Sequence, residues 1–102
     1  MRMPRKGDRY RAKQSFPVIV MTAWAAPCTG GEKGMFPADE AFVVSNDPVE
    51  GATAVNCEAV RYDRLHAQFV PEEDRTNPLY CGYYLCIDID YIMSRCKRVG
   101  AE

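Results

Sequence analysis

A thiol and an imidazole make the first pair that could do chemistry: Cys28, in the run PCTGGEKG, and His66, the single histidine of the chain. A Cys–His couple is nucleophilic when the thiol pKa is lowered and a base lies within hydrogen-bond reach. Nothing in the spacing brings these two together. His66 also falls on an apolar helical stripe, where a packed ring is the commoner outcome. A thiol-dependent enzyme centred on Cys28 is therefore the third reading of the chain. Zinc is the next candidate, because Cys81 and Cys86 are separated by four residues and Cys57, His66 and Cys96 could complete a set. Structural zinc uses two tight pairs, and positions 81 and 86 of one strand point to opposite faces. No metal and no cofactor is assigned.

Two weaker constellations remain. The loop Cys28–Gly34 (CTGGEKG) offers free backbone N–H groups and Lys33 as an anion cradle. It lacks the glycine spacing of a phosphate loop, and no helix follows to lend its dipole, so a turn is the better account. Asp88 and Asp90 lie on one strand face, about 6.5–7 Å apart by strand rise. That spacing suits an acid pair or a cation, but a strand end entering water commonly carries such residues.

The charge is uneven. Residues 1–13 hold six basic side chains against Asp8 alone, whereas the rest of the 102-residue chain holds seven basic and thirteen acidic ones. In the alternative reading the chain is a nucleic-acid-binding module. Arg5, Lys6, Arg9, Arg11 and Lys13 would grip phosphates, tyrosines would stack on bases, and affinity would fall steeply with salt. An acidic body repels phosphate, which favours a solvated tail instead. The leading reading rests on aromatics in excess of a small core. Trp24, Met35, Phe36, Tyr80 and Tyr84 would form a protein-binding groove between the Cys28–Pro37 loop and the Tyr80–Tyr84 face, since such side chains supply large area at low entropy cost.

The elements that must position these residues are mostly strands. Leu79–Asp90 (LYCGYYLCIDID) is the clearest, with Leu79, Cys81, Tyr83, Leu85, Ile87 and Ile89 on its buried face and Tyr80 and Tyr84 on the other. Phe16–Trp24 (FPVIVMTAW) is apolar on both faces and rich in β-branched residues, as a central covered strand requires. Gly7–Lys13 opens the sheet, Ala41–Ser45 and Ala52–Val60 add strands, and Cys96–Val99 closes it. Ala25–Glu40, with two prolines and three glycines, reads as one long loop. Tyr62, Leu65, His66, Phe69 and Val70 repeat at helical spacing and predict a short helix. A helical turn follows Asp90.

This order resembles the SH3-like small β-barrels. Phe16–Trp24 matches the first barrel strand, Ala25–Pro37 the long loop, Pro37–Val44 (PADEAFVV) the entry to the second strand, and Ile87–Val99 the closing strand, helical turn and final strand. The resemblance spans residues 16–99. It implies a mainly β fold, a barrel of about five strands, and a binding or adaptor role. The Val60–Pro78 helical insertion departs from it.

At 47% apolar and 26% charged residues, the composition is that of one globular domain. The expected organisation is a flexible basic arm over residues 1–6 and a single β-barrel domain over 7–102. Five cysteines, odd in number and widely spaced, suit reduced thiols and a cytoplasmic location. No apolar run reaches the roughly 20 residues of a membrane helix. Phe16–Pro27 follows basic residues, but cleaving it as a signal segment would remove the best central strand. The expected partner is another protein, with nucleic acid the alternative, no membrane, and a homodimer through a strand edge at Gly7–Lys13 or Cys96–Val99.

Overall fold

The computed structural model describes residues 3–24 and 31–101, excluding the side chains of Ala23, Trp24 and Ala101. In chain order the elements are β1 (Asp8–Ala12), β2 (Phe16–Trp24), β3 (Glu32–Phe36), β4 (Ala41–Val44), β5 (Ala54–Ala59), α1 (Tyr62–Phe69), α2 (Glu72–Arg75), β6 (Tyr80–Asp88), α3 (Ile89–Arg95) and β7 (Cys96–Ala101). All seven strands join one open antiparallel sheet in the order β3-β2-β6-β5-β4-β1-β7. The mainly β expectation holds, with seven strands in place of about five.

Alternation fixes which face is inside. Phe16, Val18 and Val20 of β2, Phe42 and Val44 of β4, Val55, Cys57 and Ala59 of β5, and Tyr83, Leu85 and Ile87 of β6 are all buried on one face. Leu65 and Phe69 of α1 and Ile89 and Ile92 of α3 pack onto that same face, whereas α2 buries no side chain. The sheet curls strongly around this core. Phe36 on the terminal strand β3 lies 5.5 Å, ring to ring, from Phe42 on β4, although three strands separate them in the sheet order. Phe16 touches Phe36, Phe42 and Tyr91 of α3 at 5.5, 6.2 and 6.0 Å, so one aromatic cluster holds the curl.

Three local expectations are corrected. β3 lies inside the stretch expected to be a loop. It is an edge strand, paired to β2 alone, with Gly34 on its inner face where the ring of Phe69 approaches, so it carries almost no apolar alternation. The last long strand stops at Asp88, which caps α3: its Oδ1 accepts from the Asp90 N–H at 2.9 Å. Asp88 and Asp90 are therefore a helix cap and a first-turn residue, not two acids on a strand face. Finally, the pairing of β2 with β6 slips between Ala23 and Trp24, where Gly82 has φ +139°, leaving Cys81 without a partner residue. This β-bulge turns Cys81 outward and sets Tyr80 against the core, reversing the faces expected for both.

The N-terminal stretch is tied to the body from Pro4, which is fully buried. The buried Asp8 accepts from the Arg5 N–H at 3.0 Å and faces Arg98 at 3.5 Å, while Lys6 N–H donates to Asp47 at 2.9 Å. β1 is flanked by β4 and β7, so the Gly7–Lys13 stretch offers no free sheet edge. Opposite, the buried Glu40 accepts both arms of the Arg61 guanidinium, at 2.7 and 3.0 Å, and anchors the start of α1.

Candidate functional site

Register decides what the outer face of the sheet displays. Residues directly opposite in an antiparallel pair share a face. Pro17 faces Met35, Ile19 lies between Lys33 and Cys86, and Met21 faces Tyr84, all on the side away from the core. These six positions, Pro17, Ile19, Met21, Met35, Tyr84 and Cys86, give β3, β2 and β6 a second apolar surface. Neither α1 nor α3 reaches it, since their buried side chains all join the inner core. Ile19, Met21, Tyr84 and Cys86 are half-buried, and Met35 is 50% exposed. Gly31 lies so close over Ile19 and Met21 that any side chain there would collide with both.

The five residues expected to bind a partner separate on this geometry. Met35 and Tyr84 stand together on the outer face. Phe36 turns inward and is wholly buried, which makes it a core residue. Tyr80 sits beside α1, its ring 5.9 Å from that of His66. The side chain of Trp24 and the whole of Cys28 lie outside the described residues, as does part of the expected groove. Ile19 and Met21 were missed as surface residues. The two-sided apolarity of Phe16–Trp24 was the signal for them, read as a strand covered on both sides.

His66 belongs to an aromatic cluster. It lies 5.6 and 5.7 Å from Tyr62 and Tyr83, which stack on each other at 4.4 Å. The Tyr83 N–H donates to the Tyr62 hydroxyl at 3.2 Å, and the Tyr83 hydroxyl donates to the Tyr62 carbonyl at 3.3 Å. Burial, with Tyr62 nearby, pushes the hydroxyls of Tyr80 and Tyr83 well above the usual phenol range. The cluster is packed, and it fastens α1 to β6.

The thiols are spread out. Burial pushes Cys57 far above the usual thiol range, and it pushes Cys96 up to about 11 against a smaller lowering by Lys13. Neither is a thiolate at neutral pH, so neither is a ready nucleophile. Cys86 lies on the outer face and Cys81 is exposed. Among the described residues, no three His, Cys, Asp or Glu side chains are grouped to hold a metal ion.

Among the described residues, the five basic positions expected to grip phosphates, Arg5, Lys6, Arg9, Arg11 and Lys13, are spread from one end of β1 to the other. Arg11 stands directly opposite Lys97 on the outer face of β1 and β7, and Lys13 lies at the mouth of a cavity beside α3. Arg5 and Lys6 are exposed beyond the other end of β1, and Arg9 is half-buried. No family model, curated protein or solved structure matches the chain. No helix of the described residues is long and apolar enough to cross a membrane.

Proposed function

We propose that this chain is a small protein-interaction module that docks a partner protein on the outer face of β3, β2 and β6. One observation carries the reading. Strand register gathers Pro17, Ile19, Met21, Met35, Tyr84 and Cys86 on a face that the chain's packed helices leave bare. Apolar surface is favourable to bury at about 25 cal/mol per Å², and contiguous exposed patches of it mark interaction sites. Met and Tyr suit such a face, since Met adapts its shape and Tyr supplies a large anchor with a polar tip. The curled, barrel-like sheet serves as a rigid platform for this surface, in keeping with the adaptor role that the SH3-like resemblance implies. The free thiols Cys57, Cys81, Cys86 and Cys96 suit work in the reducing cytoplasm.

The test is capture from an extract of the source cells, in low salt and in roughly 0.5 M salt, where exposed charges are screened within a few ångströms. Wild type, Met35→Asp and Tyr84→Ala are compared, each first shown to melt as a folded domain. The expected result is a protein retained by wild type in both salts and bound about tenfold or more weakly by each variant, or some 1.4 kcal/mol. Equal capture by the variants, or recovery of nucleic acid alone that is lost at high salt, overturns the reading.

A further inference from the structure

At the opposite end of the sheet the geometry points to a second docking site: the β7 edge receives an extended partner segment in which apolar and acidic residues alternate. β7 is the last strand in the order, paired to β1 alone among the described residues, so one side of its backbone is open to another strand. An added strand gains its affinity from main-chain hydrogen bonds and its selectivity from alternate side chains. The register states what each face of the edge offers. Lys97 stands opposite Arg11 on the outer face, two like charges in a pair that disfavours them unless an anion joins. Cys96, opposite Ala12, turns inward.

Beside that inward side lies a cavity of about 410 Å³, floored by Tyr10, Ile92, Met93 and Cys96 and rimmed by Lys13, Lys97 and Arg98. A strand added to β7 sends every second side chain toward this cavity and the others toward Lys97 and Arg11. Apolar residues fit the first set and carboxylates the second. A second copy of this chain fits poorly, because β7 paired with another β7 would set Lys97 and Arg98 against their own kind. Nucleic acid has no strand backbone with which to extend the sheet. This site is separate from the Met35–Tyr84 face, so a chain with both surfaces links two partners.

The probe is a soluble eight-residue peptide alternating Glu and Val. A peptide alternating Lys and Val and a short single-stranded DNA are its comparators. The expected result is binding of the Glu–Val peptide with slowed amide hydrogen exchange confined to β7. Lys97→Glu and Arg11→Glu each weaken it at least tenfold while thermal melting stays unchanged, and Met35→Asp leaves it intact. The proposal is overturned if the Lys–Val peptide binds as well, if the DNA binds and the Glu–Val peptide does not, or if bound peptide leaves β7 exchange unaltered. Failure here leaves the Met35–Tyr84 reading to its own test.

Discussion

Met35 and Phe36 are neighbours with opposite fates. The first is half exposed on the outer face, and the second is wholly buried among Phe16 and Phe42. Composition alone assigned both to a binding surface, because an aromatic residue in a glycine-rich stretch gives no sign of its direction until the strand and its register are known. The stripe through Leu65 and Phe69 was legible, since buried residues at helical spacing need no partner strand to interpret them, although Val70, expected to continue it, is extended and ends the helix. The buried thiols and phenols lead to a pH prediction. Folded Cys96 stays neutral up to about pH 11, whereas in the unfolded chain it ionises near its ordinary 9.0. Between those values the unfolded state holds fewer protons, so stability falls as pH rises. The contribution is present in full below pH 9 and is lost as pH climbs toward 11; Cys57, Tyr80 and Tyr83 act in the same direction. Urea midpoints should be level between about pH 7 and 8.5 and should drop by pH 10.5. A midpoint unchanged at the higher pH would show that these groups ionise as freely folded as unfolded.

At the scale of elements, β6 was legible from Tyr83 to Ile87, where alternation and burial agree residue by residue. It failed at its start, where the bulge at Gly82 inverts the faces, and at its end, where Asp88 caps a helix instead of extending the strand. Period-two reasoning carries a face indefinitely along a strand and has no term for a bulge. Gly82 is the point on which this rests. Its φ of +139° is closed to side chains, and a β-carbon there would stand 3.1 Å from the Tyr62 hydroxyl. Gly82→Ala is expected to cost about 1–3 kcal/mol of stability. It should also disturb the Tyr62–Tyr83 stack, visible as a change in the near-ultraviolet circular dichroism. Unaltered stability and spectrum would mean that the bulge tolerates a side chain. β3 was illegible for a different reason. An edge strand paired on one side needs little apolar alternation, and its Gly34 reads as loop punctuation, although it serves to admit Phe69.

At the scale of the molecule, the sheet curls enough for Phe36 and Phe42 to meet, yet it stays open in hydrogen bonding, with β3 and β7 at its two ends. Short-range sequence patterns predicted six of the seven strands, all but β3, and the inner face wherever alternation ran without a bulge. They could not predict which strands would be neighbours, because pairing between β2 and β6, or β1 and β7, joins residues distant along the chain. The candidate surfaces depend on that long-range pairing: Met35 and Tyr84 come together only through β2, and Arg11 and Lys97 only through β1 and β7. The proposed adaptor role follows from this layout, with an apolar face near one end of the sheet and a basic edge at the other. Its central claim is that the outer face is occupied when the protein is at work. The most direct measurement is covalent footprinting of the intact chain in source-cell extract and in buffer at the same salt, read residue by residue. The expected result is protection of Met35, Met21 and Tyr84 in extract, with exposed Val49 and Leu79 labelled equally in both. Equal labelling of Met35, Met21 and Tyr84 in extract and buffer would contradict the account.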